Sequence, residues 1–434
     1  MKNSGWFGSV VFGAVYALVA TCLVPATARA ELPAPEPLPV AKAKGWELSV
    51  DGRVSAFLSF SQGDPQPPTT ALWQGYLDKP DSSGHIVATR IRSGFVSNLL
   101  GWNVHKQVGE HTLSGRFAVW GNISQQRDKT VTPDVDLREV FLKIDGPWGG
   151  VLAGRNLGLF GRGGIGLNYD IVHGYGLGSP CMIVSREPGH GPIAACGHVG
   201  FGILFPAFNA QITYNTPQLA GFQLSVGLFD PAVNQARSYE RAPLPRVEGE
   251  LAFKADKVFH AEVSGSWQRL GQNDELNLNV DSYGFAYSAG VNIGPVQLGG
   301  AGFIGQGLGI WAALEDYPVF SDSAFVLRKQ KGFLGMAAVN FGQTKIAGGV
   351  GETLISRTSN DPTTPFEQQN FPTSQLGISL GVYQGILENV VLGLDYFRAS
   401  HTWNEAYVPG DPNMAVFTPK QTVNFVNVGA TLVF

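Results

Sequence analysis

From Trp46 to Phe60 the side chains divide by parity. Trp46, Leu48, Val50, Gly52, Val54, Ala56, Leu58 and Phe60 form one set, and Glu47, Ser49, Asp51, Arg53, Ser55, Phe57 and Ser59 form the other. Successive side chains of an extended strand point to opposite faces, so this segment reads as a strand with one apolar face and one polar face. Fifteen residues is long for a strand of a sandwich. Tilted by about 40°, such a strand crosses a bilayer with its ends in water.

The pattern returns along the chain. Phe208, Ala210, Ile212 and Tyr214 alternate with Asn209, Gln211, Thr213 and Asn215, and Phe222, Leu224, Val226 and Leu228 with Gln223, Ser225 and Gly227. Phe259, Ala261, Val263, Gly265 and Trp267 alternate with His260, Glu262, Ser264, Ser266 and Gln268. Titratable groups on that second face are costly against lipid and comfortable against a wet lumen. Sixteen such segments are predicted, at 46–60, 88–100, 108–121, 134–145, 149–157, 206–216, 220–230, 245–255, 257–269, 281–293, 296–306, 331–342, 343–355, 374–384, 388–400 and 421–434. Tight turns such as Asp145 to Gly149, Ala255-Asp256, Ile293-Gly294-Pro295 and Phe341-Gly342 alternate with long polar loops. The predicted fold class is therefore all-β: a transmembrane antiparallel barrel with short periplasmic turns and long external loops.

The ends agree. Lys2, an apolar stretch to Pro25 and the run Ala26-Thr27-Ala28-Arg29-Ala30 have the layout of a signal peptide, residues 1–30, cut after Ala30. Export would place the rest in the outer membrane. Residues 31–45 are predicted as a Pro-rich periplasmic extension, with Pro33, Pro35, Pro37 and Pro39 favouring an extended polyproline conformation. The barrel would occupy 46–434 as one domain. At the other end Val426, Val428, Ala430 and Leu432 precede Phe434 at period two. In lipid every backbone group needs an internal partner, so this last strand must pair with the first. Fifty-six glycines and 48 aromatic residues suit such a wall. Without Lys2 and Arg29 the formal charge of −4 becomes −6, which argues against a nucleic-acid partner.

Several segments resemble the general porins, trimeric 16-stranded bacterial outer-membrane barrels. Arg138-Glu139-Val140-Phe141-Leu142-Lys143-Ile144, the turn Gly146-Pro147-Trp148-Gly149-Gly150 and the following Val151-Leu152-Ala153-Gly154-Arg155-Asn156 carry the resemblance. So do Arg92-Ser93-Gly94-Phe95 and Ile212 to Pro217 with Ala220-Gly221-Phe222. Glu139 and Val140 depart from the family pattern, and the loop after Arg155 lacks its acidic Pro-Glu-Phe-Gly-Gly element. Outward parity for Glu139 would put it in a subunit interface. The resemblance implies a homotrimer, a third external loop folded into the pore as its constriction, and a terminal Phe434 read by barrel-assembly machinery.

That loop is predicted at about 158–205, without regular structure. Cys181 and Cys196 are the only cysteines after residue 30, and an oxidising compartment favours a disulfide between them. A closed loop of about fifteen residues would stabilise by roughly 3 kcal/mol in the chain-entropy model. A metal site with His173, His190 and His198 is the less favoured use of these residues. Arg53, Arg92, Arg116, Arg138 and Arg155 are read on the inward parity of the first five strands, as a basic ladder facing the loop. The loop adds Arg162, Asp170 and Glu187 to this set. Few loop acids predict weak selectivity leaning towards anions. No cofactor, catalytic group or metal is expected, since no Gly-x-Ser-x-Gly, His-Glu-x-x-His or phosphate-binding loop occurs and His260 and Ser264 lie about 13 Å apart along one strand. Passive diffusion of small hydrophilic solutes and ions is the predicted function; a sugar- or phosphate-specific channel and a structural or adhesive barrel are the alternatives.

Overall fold

The computed structural model describes residues 32, 36–64, 85–123, 134–182, 193–231, 242–271, 279–308, 327–358, 372–404, 406–407, 416–418 and 420–434. The chain opens with a short strand, β1 (Leu38–Ala43), which turns at Lys44-Gly45 into β2 (Trp46–Gly63). Then come β3 (Ile86–Arg92), β4 (Asn98–Val108), β5 (His111–Asn122), β6 (Asp134–Gly146) and β7 (Gly149–Leu157). An internal segment carries helix α1 (Arg162–Leu167), a π-helical turn (Asn168–His173) and the hairpin of β8 (Ser179–Met182) with β9 (Ile193–Gly197).

The wall resumes with β10 (Phe208–Asn215), β11 (Phe222–Phe229), β12 (Arg246–Ala255), β13 (Phe259–Gly271), β14 (Asn279–Ile293), β15 (Val296–Gln306), β16 (Lys329–Phe341) and β17 (Thr344–Ile355). It ends with β18 (Pro372–Leu387), β19 (Val390–Trp403), a small hairpin of β20 (Ala406–Tyr407) with β21 (Val416–Phe417), and β22 (Lys420–Val433).

Each wall strand pairs antiparallel with its neighbour, and β2 pairs with β22, so the sheet closes. β2 also pairs with β3 through Phe57 to Gly63 and with β4 through Trp46 to Arg53. β3 and β4 are therefore one stave interrupted at 93–97, and the ring has sixteen staves, as the alternation predicts. Closure removes the edges that lipid would leave unpaired.

The predicted strand at 88–100 is overturned in its limits. The stave runs on to Val108, where Gly109-Glu110 makes the turn. At the break, 93–97, the Phe95 amide turns to the Gly176 carbonyl at 2.8 Å, and Asn98 accepts from the Ser55 amide at 2.6 Å. The Pro-rich extension also departs from expectation, because Leu38–Ala43 is a strand on the lower half of β2, with Pro39 at a register shift where its missing N–H leaves no ladder gap.

Polarity is inverted relative to a soluble protein. On β2 the apolar Val54, Ala56 and Leu58 are exposed, while Arg53, Ser55 and Ser59 are buried. Ile212, at 61% exposure, and Gln211, at 6%, show the same on β10. No helix among the described residues is long and apolar enough to cross a membrane; the outward apolar strand faces form the lipid-contacting surface instead.

Candidate permeation pathway

Residues 158–205 enter the barrel, and the wall supplies what their backbone lacks. The first amides of a helix have no internal acceptor. Here Glu248 accepts from the Leu159 and Phe160 amides at 2.7 and 3.0 Å, Ser264 from Gly161 at 2.9 Å and Glu262 from Gly163 at 2.8 Å. Arg162 forms a two-pronged ion pair with Glu250. Further along, Arg53 donates to the Gly174 carbonyl and Lys345 to that of Asp170. Asp395 accepts from the Leu177 and Gly178 amides and is steadied by Asn427 at 2.7 Å. Gly202 donates to Thr353, and His198 meets Ser379 at 2.8 Å.

Apolar packing fixes the same segment. Leu167, Ile171, Val172 and Ile203 bury themselves against Ala301, Leu334, Met336, Ala338, Ala347 and Tyr383. Phe201 joins Phe397 and Trp403, and Leu177 joins Phe57. The expectation of a loop without regular structure is overturned: a helix, a π-helical turn and a hairpin fill it, because a segment buried inside a barrel must pair its amides.

The loop lies against β12 to β19, β22 and the Arg53–Phe57 part of β2. Charged pairs line the opposite side. Arg116 meets Asp51 at 2.7 Å and Glu139 at 3.1 Å. Lys143 meets Asp145 at 2.8 Å. Lys143, Asp145, Gly150, Arg162, Asn215 and Gln223 border an opening beside α1.

The sequence-selected residues thus fall into different places. Arg53 and Arg92 are inward but covered, at 4% and 3% exposure, so they hold the loop or wall and do not front open water. Arg138 is buried, stacked on Trp120 and Phe208 and paired with Asp136 at 3.1 Å. Arg155 lies opposite Val140 and Ala210, on the parity of Ala153 and the exposed Ile212, not that of Gly154 and Gln211. Its inward reading on β7 parity is thereby corrected. It is exposed near the loop end of β7 and reaches Asp136 at 3.3 Å. Glu139 is also corrected, because a register shift at Ala118/Val119 inserts Arg138 as an extra residue. Glu139 then lies opposite the buried Ala118 and turns inward, where Arg116 and Trp120 bind it.

Asp170 keeps an exposed side chain in the loop, and desolvation by the surrounding protein pushes its carboxyl above the usual range against the pull of Lys345. Glu187, and His190 of the alternative metal site, lie outside the described residues, and no metal-ligating cluster of three or more His, Cys, Asp or Glu occurs among the described residues. β8 and β9 pair Cys181 with Ala194, two residues before Cys196. The Phe434 ring rests on Gly52, and the two backbones exchange hydrogen bonds of 2.7 and 3.0 Å.

Sequence reading placed Glu262 on the inward face without a partner and missed the other anchoring acids, Glu248, Glu250 and Asp395. Glu248 and Glu250 alternate on the polar parity of a lipid-crossing strand, which is the signal that marks them as inward groups in need of partners.

A family model described as Gram-negative porin matches residues 14–396. Among solved structures, an anion-selective porin from Comamonas acidovorans superposes with a TM-score of 0.55 at 15% identity, covering 90% of this chain and 100% of that one. OmpF of Salmonella typhi, in complex with daunomycin, gives 0.52 at 14% identity over 92% and 100%. A trimer form of Vibrio cholerae OmpT gives 0.50 at 12% identity over 90% and 100%. No curated protein matches.

Proposed function

Since the chain belongs to the Gram-negative porin family and folds as a sixteen-stave outer-membrane barrel, we propose that it is a homotrimeric, non-enzymatic channel for passive diffusion of small hydrophilic solutes and ions. The observation that carries this reading is the loop docked on one side of the lumen beside an opening bordered by charged and amide side chains. A trimer form of the similar V. cholerae barrel supports the assembly. Ser264, the one serine near His260 on β13, is already engaged by the Gly161 amide, which favours transport over hydrolysis.

Selectivity is weak and leans towards anions. Loop amides and Arg162 engage Glu248, Glu250, Glu262 and Asp395, and Lys143 borders the opening beside Asp145. The anion-selective relative agrees with this sign. A Cys181–Cys196 disulfide joins β8 to β9, Phe434 serves as the assembly signal, and residues 1–30 are removed on export.

Planar-bilayer recording tests the reading. Conductance in groups of three steps and a reversal potential displaced modestly to the anion side are expected; strong cation preference would overturn the selectivity, and silent barrels the channel. Swelling of liposomes in sugars of graded size should follow size alone, and a sharp preference between sugars of equal size would favour a substrate-specific channel.

A further inference from the structure

Before β1, Leu32 touches the inside of the barrel. It packs, partly buried, against the cluster in which loop residues such as Leu167, Ile171 and Val172 meet wall residues such as Ala347, Tyr383 and Val391. Its Cδ2 lies 3.6 Å from where a Cβ on Gly385 would stand. Gly385 is inward on β18, and its amide donates at 2.9 Å to Gln343 in the turn between β16 and β17, so the contact lies at the tight-turn end of the lumen. β1 is fixed outside the ring by its pairing with β2.

An apolar side chain has no reason to enter a wet mouth except to leave water, and the cluster it joins is shared between loop and wall. We infer that Leu32 is a peg: its side chain sits at the tight-turn end of the lumen and pins the loop turn around 165–175 against β17 and β18. The loop is otherwise held on this side by the Lys345 bond to Asp170 and by its own apolar contacts. The peg makes the stillness of the constriction depend on a segment outside the barrel ring, and tension or binding on that segment would loosen the loop without touching the lumen.

The test uses the full chain in lipid. Leu32→Asp should raise amide hydrogen exchange across 165–173 about tenfold, the loss of one partly buried leucine, while Leu38→Asp, on the exposed strand β1, should leave it unchanged. Equal exchange in the parent and Leu32→Asp would overturn the peg. Only the effect on current rests on the channel reading: Leu32→Asp should show more frequent brief closures than the parent. A parent that conducts nothing would sink the channel reading while the exchange measurement still decides the peg.

Discussion

Gly52 has no side chain because Phe434 occupies its space. A Cβ there would stand 2.3 Å from the ring, so Gly52→Ala must push the last residue off the seam. Overpacking of this kind costs about 1–3 kcal/mol, and a drop in the temperature at which the barrel loses its compact electrophoretic mobility should register it. Glu139 gives a second residue-scale test. Glu139→Gln keeps an acceptor for Trp120 and removes a charge beside Arg116, so the reversal potential should move towards anions. A side chain facing lipid would leave that potential where it was. Parity alone misses Glu139, since one extra residue in β6 reverses every face beyond it and nothing in the local apolar pattern marks the insertion.

Among the elements, the internal loop depends most on distant groups. Glu248 binds two loop amides and the buried Arg246, itself 2.9 Å away. Glu248→Ala removes an acceptor from both amides and an ion-pair partner from Arg246, at a cost of about 1–3 kcal/mol, and protease accessibility of 158–163 should rise sharply. Acid should act on the same loop. His173 and His198 lie 5.3 Å apart inside it with their rings tilted by 41°, with Phe95 and Phe397 against His173 and Phe397 and Ser379 against His198. Burial holds His173 well below its ordinary pKa and His198 down to about 3. Both are neutral when docked and would take up protons once exposed, so docking is fully stable above about pH 6.5 and weakens as the pH falls from there towards 3. Hydrogen exchange at 168–178 should speed up across that window. Strand existence was legible because period two survives any neighbour. The stave break at 93–97 was not, since it is made by the loop: the Phe95 amide donates to Gly176 at 2.8 Å and the Gly94 amide to Ser55 at 2.9 Å. Those partners lie far away in sequence.

For the molecule as a whole, the outward face meets lipid. Val226→Arg should destabilise the folded barrel by about 2–4 kcal/mol if it lies near the bilayer centre, whereas Gln223→Arg, beside the opening, should change conductance and spare stability; urea unfolding from lipid vesicles measures both. The loop also constrains the order of assembly. It is fastened at once to β2, β12, β13, β17 and β19, all within a ring that shuts between β2 and β22. A segment tied to so many staves cannot be threaded through a finished cylinder, so it must be seated while the two ends of the sheet are still apart. The last zipper to form is then the one bearing Phe434, and a chain stalled just before that step should already protect 158–178 from protease.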